Sequence, residues 1–536
     1  MARRTARSDA YDFIIVGAGS SGCVLASRLS AQARVLVVEA GPWDRDPMIR
    51  VPLGCGHILA RRHHDWKYFT EKEPGLGGRR IECARGKVVG GCSSTNGMAY
   101  VRGHRADYDG WAAMGLPGWS YADVLPYFRR QESWEGGADA YRGGTGPLRT
   151  QWTRFEDPLS AASLAAGLAL GHPWTEDHNG ADQHGFGRWQ MTIRNGRRCS
   201  AADAYLRPAL RRGGLEIVVG ALVTRLLFDG AAVCGLEYRT KGGVMQVFAG
   251  REVILSAGAI NSPQILMLSG LGCPEALRDH DIRVRVPLRG VGANLQDHAA
   301  VNLTAIRREG GPLQRAMRFD RIATEMSRAY LFGRGIASDM PFGTMGFVKS
   351  GAEALPDLQV MSIAGSPLSK PYLPPFTRPA ADTFDWRIAL LRPESRGAVT
   401  LRSADPTAAP RIRQNLLSTD ADLRGLRRGL RMAQALNRQA PLATMVARES
   451  LEAETDQEID AYIRAMATTI HHPVGTCRMG TDEQAVVDTD LRVRGVDRLR
   501  VVDASVMPAI VGGNTNAPSM MIAEKAADLI LGGPPA

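Results

Sequence analysis

A glycine-rich turn near the start of the chain has the spacing that binds a dinucleotide. Residues 13–16 form a continuous apolar run, which predicts a strand buried on both faces, and the GxGxxG pattern of Gly17, Gly19 and Gly22 follows directly. These glycines would allow a tight turn, close approach of a pyrophosphate and close packing of the next helix. Glu39 follows a second apolar run, where a carboxylate can accept hydrogen bonds from a ribose. We therefore predict an ADP-containing dinucleotide, NAD or FAD, and disfavour NADP.

A second glycine block and the C-terminal end hold the other residues that could do chemistry. Residues 85–98 contain a glycine pair followed by small hydroxyl side chains, which would either open the backbone to a flat or phosphorylated ligand or form a simple loop. Residues 471–476 read His-His-Pro-Val-Gly-Thr, and a Gly/Asn loop at 512–518 precedes an apolar helix. Asn516 is a natural N-cap for that helix, whose N-terminus could stabilise negative charge on a bound group.

Strands and one helix must hold these residues in place. The first two apolar runs and the segment 23–30 between them predict a β-α-β unit. Residues 215–255 alternate between apolar and polar side chains and are divided by glycine turns, which predicts a strand meander returning to the nucleotide-binding part. Residues 499–502 predict one more short strand near the C-terminus.

The remaining chain gives helix signals and weak strand signals. After the meander, Asn261 or Ser262 is a plausible N-cap, with Pro263 in the first turn of a helix. Residues 420–470 have the apolar spacing of helices. Residues 300–390 are rich in Arg, Pro and Met and indicate strands only weakly.

The composition is that of a folded globular protein. The chain has 536 residues, of which 44% are hydrophobic and 23% charged, and its net charge is +11. The arginines responsible for this excess are scattered in pairs with few aromatic residues between them, which argues against nucleic-acid binding. An acidic redox partner or an anionic membrane surface could still dock on a basic face.

Cysteine usage and hydropathy restrict the location. The eight cysteines form no CxxC pair and show no zinc-ligand spacing, so we expect free thiols, a reducing compartment and no metal. Residues 1–8 are basic but lack the apolar core of a signal peptide. No run of about 18 apolar residues exists, so we expect no membrane span. We predict a cytoplasmic protein and leave peripheral contact with the inner membrane open.

In its motifs the chain resembles the glucose–methanol–choline (GMC) flavoprotein oxidoreductases. The resemblance runs from Asp12 to about Leu531 and rests on six blocks: the first glycine turn with Glu39, and residues 85–98, 256–272, 292–298, 391–415 and 472–529. It implies FAD and an α/β fold, α+β overall. A Rossmann-like FAD-binding domain would be built from discontinuous segments, beside a substrate domain with an antiparallel sheet and helices. We assign 1–155, 201–300 and 466–536 to the former, and 156–200 and 301–465 to the latter.

The resemblance also implies which residues hold FAD. They are Gly17, Gly19, Ser20, Gly22 and Glu39 around the ADP half, Val223 beside the adenine, Trp66 near the cofactor, Val89, Gly91, Asn96, Gly97 and Met98 along the flavin half, and Asp503, Asn516, Ala517 and Pro518 at the ribityl chain and isoalloxazine. Some relatives attach FAD covalently through a histidine in the second glycine block. Thr95 stands at that position here, so we expect non-covalent FAD.

The catalytic roles are likewise implied by the resemblance. His472, in the stretch His-Pro-Val-Gly-Thr, matches the family histidine that removes the alcohol proton while hydride passes to flavin N5. Imidazole suits this task because its ordinary pKa of ~6.5 lies near working pH. Asn516 would be the second member of the catalytic pair, His471 would line the substrate pocket, and His298 would be structural or adjacent to the cofactor.

The predicted reaction is the FAD-dependent oxidation of a primary alcohol to an aldehyde. An oxidase that uses O2, or a hydroxynitrile lyase in which FAD stays oxidised, are the alternatives. A quaternary ammonium substrate would need an aromatic cage or a nearby carboxylate, and the sequence identifies neither. The alcohol, the electron acceptor (a quinone, a cytochrome or O2) and the oligomeric state therefore stay open.

Overall fold

The described part of the chain comprises residues 11–365 and 370–533 of a computed structural model. Its strands are β1 (Tyr11–Val16), β2 (Val35–Val38), β3 (Tyr68–Phe69), β4 (Glu82–Cys83), β5 (Glu132–Trp134), β6 (Leu148–Trp152), β7 (Gly185–Arg188), β8 (Gln190–Met191), β9 (Ile193–Arg194), β10 (Arg197–Arg198), β11 (Leu215–Val218), β12 (Leu222–Asp229), β13 (Ala232–Thr240), β14 (Gly243–Leu255), β15 (Leu271–Gly272), β16 (Val286–Pro287), β17 (Ala299–Arg307), β18 (Phe342–Val348), β19 (Leu358–Ala364), β20 (Thr383–Leu390), β21 (Ala398–Thr400), β22 (Arg411–Arg413), β23 (Val446–Glu449), β24 (Thr468–Thr469) and β25 (Leu499–Val501).

Its α-helices are α1 (Ser20–Leu29), α2 (Pro47–Arg50), α3 (Gly54–Arg61), α4 (Arg105–Ala113), α5 (Tyr121–Gln131), α6 (Pro158–Ala169), α7 (Arg207–Arg212), α8 (Gly258–Leu268), α9 (Pro274–Arg278), α10 (Pro312–Ala316), α11 (Phe319–Phe332), α12 (Asp420–Asn437), α13 (Leu442–Met445), α14 (Asp456–Met466) and α15 (Asn516–Leu531). The basic segment 1–8, on which the absence of a signal peptide was judged, lies outside the described residues.

The first seven-stranded sheet contains the predicted β-α-β unit. Its order is β11-β2-β1-β14-β13-β12, with β25 also pairing with β14. The strand β1 lies between β2 and β14 and runs parallel to both. Its last four residues are buried, as is typical of a central parallel strand. This arrangement confirms the Rossmann-like FAD-binding domain.

The long strand β14 joins the hairpin strands to the parallel part of this sheet. It runs unbroken for 13 residues. Its first half pairs antiparallel with β13, and its end pairs parallel with β1 and β25. The predicted meander is therefore present, and its last strand changes partners rather than stopping at a turn.

The second seven-stranded sheet is antiparallel throughout and forms the substrate domain. Its order is β23-β17-β20-β19-β18-β7, with β24 also pairing with β17. Helix α12 covers one face, where a Cβ on Gly429 would lie 2.5 Å from Ile388 Cγ2. Side chains alternate between the two faces of a strand, so Arg387, next to Ile388, points to the opposite face. The weak strand signals of residues 300–390 thus belong to the centre of this sheet.

Two predicted helix starts are wrong. Helix α8 begins at Gly258, so Asn261 and Ser262 lie inside it, and Ser262 Oγ donates a 2.6 Å hydrogen bond to Asp503 Oδ2. Helix α15 begins at Asn516 itself, with Thr515 at the N-cap position. The Asn516 amide is not a cap, because its Oδ1 accepts a hydrogen bond from Ser20 Oγ at 2.7 Å.

Three further predictions concern cysteines, membrane and metal. All eight cysteines are free thiols. Among residues 11–365 and 370–533, no helix is long and apolar enough to cross a membrane, and no His/Cys/Asp/Glu group is placed to hold a metal ion. The strands of the first sheet come from three separate parts of the chain, whereas the proposed domain borders remain predictions.

Candidate functional site

One large cavity of about 600 Å³ extends from the first glycine turn to the substrate sheet. The predicted site residues that line it are Gly17, Gly19, Ser20, Glu39, Trp66, Gly91, Asn96, Gly97, Met98, Val223, His471, His472, Asp503 and Asn516. The volume is typical of a ligand site. One cavity thus joins most residues that the sequence associates with the cofactor and with catalysis.

At the dinucleotide end, the Glu39 carboxylate is fixed by the backbone. Its Oε2 accepts a hydrogen bond from Ala18 N at 2.8 Å, and its Oε1 accepts one from Gly41 N at 2.7 Å. Burial raises the pKa of Glu39, and the hydrogen bonds from Gly41 and Ala18 oppose that shift. The carboxylate is therefore held in a fixed position at the cavity wall.

The glycines of the first turn are required by close backbone approaches. Gly17 has a φ of +97°, and a Cβ there would lie 2.6 Å from Ser256 O. A Cβ on Gly22 would lie 1.9 Å from Gly17 O, so Gly22 packs helix α1 onto the turn rather than lining the cavity. Gly91 of the second block approaches the first turn just as closely, because its Cβ would lie 2.8 Å from Gly19 Cα.

The second glycine block is anchored by a buried arginine that the sequence analysis missed. Arg198 Nη1 donates hydrogen bonds to Ser93 O, Asn96 O and Asn96 Oδ1 at 3.2, 2.7 and 2.8 Å. Its Nε donates to Ile49 O at 2.9 Å, and the side chain is only 3% exposed. In the sequence, Arg198 belongs to one of the scattered arginine pairs, which gave no sign of this role.

Asp503 ties β25 to the start of α8. Its Oδ2 accepts hydrogen bonds from Gly258 N at 2.9 Å and from Ser262 Oγ, and its Oδ1 accepts one from Ser505 N at 2.8 Å. Burial raises the pKa of Asp503, while these hydrogen bonds lower it. The side chain is thus both a structural acceptor and part of the cavity wall.

Other predicted cofactor residues divide into those at the cavity and those behind it. Trp66 stacks on Tyr68 with 5.6 Å between ring centroids, and Val223 lines the cavity beside the Glu39 segment. Val89 is fully buried beneath the second glycine block. Ala517 and Pro518, in the first turn of α15, are also buried and lie outside the cavity lining.

At the other end of the cavity, His472 lies between two hydrogen-bond partners. Its Nδ1 is 3.0 Å from His298 Nδ1, and its Nε2 accepts from Asn514 Nδ2 at 3.1 Å. Asn514 Oδ1 accepts a hydrogen bond from Gln359 Nε2 at 3.2 Å, which orients the amide. The structure therefore places Asn514 beside His472, whereas the predicted partner Asn516 accepts a hydrogen bond from Ser20.

The segment around Asp297 positions this histidine. His472 N donates a 2.8 Å hydrogen bond to Asp297 Oδ1, and Thr469 Oγ1 donates one of 2.6 Å to Asp297 Oδ2. Gln296 and Val474 exchange backbone hydrogen bonds beside it. His298, expected to be structural or cofactor-adjacent, is in direct contact with His472 because this bridge brings the two segments together.

The histidines at this end are neutral. Burial lowers the pKa of His472 well below its ordinary value, and the proximity of His298 and Arg85 acts in the same direction. Burial likewise lowers the pKa of His298 and of His471 to about 3. His471 Nδ1 accepts a hydrogen bond from Ala84 N at 3.3 Å, so its ring is fixed at the cavity wall. A neutral imidazole with an available nitrogen can accept a proton.

These residues fit FAD. The two glycine blocks leave the backbone open along one side of the cavity, and the Glu39 carboxylate and the N-terminus of α1 lie at one end for a ribose and a pyrophosphate. A neutral histidine paired with an amide lies at the other end. Fold and site together define a dinucleotide-dependent oxidoreductase.

Comparison with known proteins identifies the family. GMC oxidoreductase family models match residues 11–300 and 393–523, and the chain belongs to the GMC oxidoreductase family. The mitochondrial choline dehydrogenase of Mus musculus is 42% identical over 544 residues, which cover 98% of this chain and 90% of that protein. The oxygen-dependent choline dehydrogenase of Brucella anthropi is 40% identical, with 98% and 96% covered.

Solved structures agree with this assignment. Pyridoxine 4-oxidase from Mesorbium loti is 32% identical with a TM-score of 0.86, covering 97% of this chain and 98% of that one. A formate oxidase is 27% identical with a TM-score of 0.90, covering 98% and 99%. The resemblance, the fold class and the FAD cofactor inferred from the sequence are confirmed, and the protein is an FAD-dependent alcohol dehydrogenase of the class that acts on CH–OH donors.

Proposed function

We propose that the protein oxidises a primary alcohol to an aldehyde, with His472 as the base and Asn514 as its partner. The observation that carries this proposal is the 3.1 Å contact between His472 Nε2 and Asn514 Nδ2 at the cavity wall. An alcohol oxygen within reach of both atoms would replace their direct hydrogen bond, donating its proton to Nε2 and accepting a hydrogen bond from Nδ2. Both residues would then hold the oxygen as its proton leaves.

The protonation state of His472 supports its role as base. Asn514 Nδ2 can only donate, so His472 Nε2 is the unprotonated nitrogen and Nδ1 carries the ring proton. That proton bridges to His298 Nδ1 at 3.0 Å. Because burial lowers the pKa of His472, the ring is already neutral at physiological pH. After it accepts the alcohol proton, the imidazolium would be held by the same hydrogen bond to His298.

The residues around the cofactor would bind FAD and stabilise the charge that develops on it. Glu39 and the two glycine blocks would hold FAD, which supplies the hydride acceptor when bound. The N-terminus of α15 contacts the cavity through Asn516 and Ser519, and its partial positive charge would stabilise the negative charge that hydride acceptance creates. Thr95 lines the cavity where some relatives carry a histidine, so we infer that FAD is held without a covalent bond.

One experiment distinguishes a dehydrogenase from an oxidase and from a hydroxynitrile lyase. The purified protein is mixed anaerobically with a panel of primary alcohols while the flavin absorbance is recorded. Bleaching by an alcohol, with aldehyde formed, supports the proposal, and the rate at which air restores the band separates an oxidase from a dehydrogenase that uses a quinone or a cytochrome. Cyanide release from a cyanohydrin with the flavin still oxidised would select the lyase. A flavin that no alcohol reduces would overturn the proposal.

Non-covalent binding has its own test. Acid precipitation of the holoprotein should release all of the flavin into the supernatant, because the Thr95 hydroxyl forms no stable bond to the isoalloxazine. Flavin that stays with the pellet would contradict this inference. The choline dehydrogenases among the relatives place choline in the alcohol panel, beside neutral and anionic alcohols.

A further inference from the structure

Arg387 is a partly buried cation on the wall of the substrate end of the cavity. It lies in the middle of β20, opposite Met361 on β19 and Asn302 on β17. Met361, Ile363 and Arg387 line the cavity together, on the sheet face that looks away from α12. The histidines His471 and His472 line the same cavity, and the Arg387 charge contributes to lowering the pKa of both.

The hydrogen-bonding capacity of Arg387 is mostly unused. Its Nη2 donates one hydrogen bond, to Thr469 O at 3.1 Å. Across residues 11–365 and 370–533 it takes part in no ion pair. The carboxylate on the same sheet face, Asp385, is already held by Thr304 Oγ1 at 2.5 Å and Asn302 Nδ2 at 3.3 Å. Because a guanidinium has five N–H donors, several remain for the cavity.

Buried arginine side chains elsewhere in the chain have partners for their charge or for their N–H groups. Arg102 and Arg142 each form a 2.6 Å ion pair with Glu132, and Arg307 pairs with Asp157 at 2.8 Å. Arg198 lacks such a partner but makes bonds to several backbone carbonyls. Within the described residues, Arg387 has neither an ion-pair partner nor a set of backbone acceptors. Burial lowers the pKa of Arg387, so an anion held by its open donors would stabilise the charged guanidinium.

We propose that Arg387 binds a carboxylate on the substrate, so that the substrate is a hydroxy acid with a primary alcohol at one end and a carboxylate at the other. This inference rests on the proposed function. The guanidinium fork matches a carboxylate in two parallel hydrogen bonds. Trp189 and Phe342, stacked with 4.2 Å between ring centroids, line the same cavity and provide an apolar surface for the carbon body between the two groups.

The same charge opposes a quaternary ammonium substrate. A cationic alcohol in this cavity would face the Arg387 charge, and like charges repel each other. The aromatic rings alone would have to compensate. The proposal therefore predicts that a cationic alcohol is a poorer substrate than an anionic alcohol of the same shape.

The test compares three alcohols of the same shape and different charge. Anaerobic flavin reduction of the holoenzyme is measured with 4-(hydroxymethyl)benzoate, 4-methylbenzyl alcohol and 4-(hydroxymethyl)phenyltrimethylammonium. We expect kcat/KM to be highest for the carboxylate and lowest for the cation. In Arg387→Met the ratio of kcat/KM for the acid to that for the neutral alcohol should fall about 10- to 100-fold. Arg387→Lys should restore part of it, and Arg278→Met, which removes an exposed charge, should leave the ratio unchanged.

A binding measurement provides a readout without turnover. 4-Methylbenzoate should perturb the absorbance of the oxidised flavin and compete with the alcohol in the parent protein, and should do neither in Arg387→Met. Equal kcat/KM for the three alcohols, or an unchanged ratio in Arg387→Met, would overturn the inference while leaving alcohol oxidation intact. If no alcohol reduces the flavin, the proposed function fails, and 4-methylbenzoate binding alone then decides whether the carboxylate site exists. Absence of that binding would overturn the site as well.

Discussion

The two ends of the cavity are built in different ways. At the dinucleotide end, the turn with Gly17, helix α1 and Glu39 come from one stretch of fewer than thirty residues, and most contacts are made by the backbone. At the reactive end, His472 meets His298 and Asn514, and Gln359 holds Asn514 from a strand of the other sheet. The first end is a local motif, whereas the second exists only after two sheets have packed together.

This difference predicts different consequences of substitution. A motif of contiguous residues that binds through its backbone should fail by losing FAD. An assembly of side chains from distant segments should fail by losing the reaction while FAD stays bound. The four experiments below test that division, beginning with the largest expected effect.

Replacing His472, the proposed base, should strongly lower the rate of flavin reduction. In His472→Gln we expect the rate of flavin reduction by an alcohol to fall about 10²- to 10⁴-fold, because general base catalysis supplies a factor of that size. Stopped-flow absorbance measures the rate, and the flavin-to-protein ratio should remain that of the parent. His178→Gln is the matched control, since His178 is also buried but lies outside the cavity. A flavin-free His472→Gln protein would contradict the division between the ends.

Replacing the Glu39 carboxylate should weaken the binding of FAD. In Glu39→Ala the N–H groups of Ala18 and Gly41 lose their acceptor, and the ribose loses its partner. Hydrogen bonds to charged groups contribute about 1.5–3 kcal/mol, so the Kd for FAD should rise about 10- to 100-fold. Titration of the apoprotein with FAD, followed by fluorescence quenching, measures this constant. An unchanged Kd would show that the backbone alone holds the dinucleotide.

Substitutions of the two asparagines of the C-terminal loop should affect different properties of the enzyme. Asn514→Ala removes the hydrogen bond to His472 and should lower the rate of flavin reduction about tenfold or more, because it removes one polar partner of the reacting oxygen. Asn516→Ala removes the hydrogen bond from Ser20 and should act mainly on FAD binding, since it joins α15 to the first turn. Parallel measurements of rate and Kd distinguish them. The reverse pattern would restore Asn516 as the catalytic partner.

The buried histidines should make stability depend on pH. Their pKa is lowered in the fold, to about 3 for His298 and His471, against ~6.5 in the unfolded chain. The unfolded state therefore binds more protons below pH ~6.5, and the free energy of unfolding falls as pH falls, by up to about 1.4 kcal/mol per pH unit for each imidazole. Urea unfolding at saturating FAD should show a shallower decline for His471→Gln. Identical slopes would mean that folding leaves the pKa of His471 unshifted.

The difference between the ends also explains how much could be predicted. Local patterns predicted the β-α-β unit and the helix α12, because apolar periodicity and glycine spacing reflect contacts within a few turns of the chain. The starts of α8 and α15 were wrong, since Ser262 and Asn516 form tertiary hydrogen bonds, to Asp503 and with Ser20, instead of capping their helices. The role of Arg198 was missed because its partners are backbone carbonyls about a hundred residues away.

The sequence by itself determined the family, the FAD-binding turn with Glu39, and His472 as the candidate base, since each depends on residues that are neighbours in the chain. Only the tertiary structure decided that Asn514 rather than Asn516 contacts His472, that His298 lies against His472 Nδ1, and that Arg387 reaches the same cavity. The physical reason is that residue spacing fixes direction over one turn or strand, whereas the packing of two sheets brings together side chains that lie far apart in the chain.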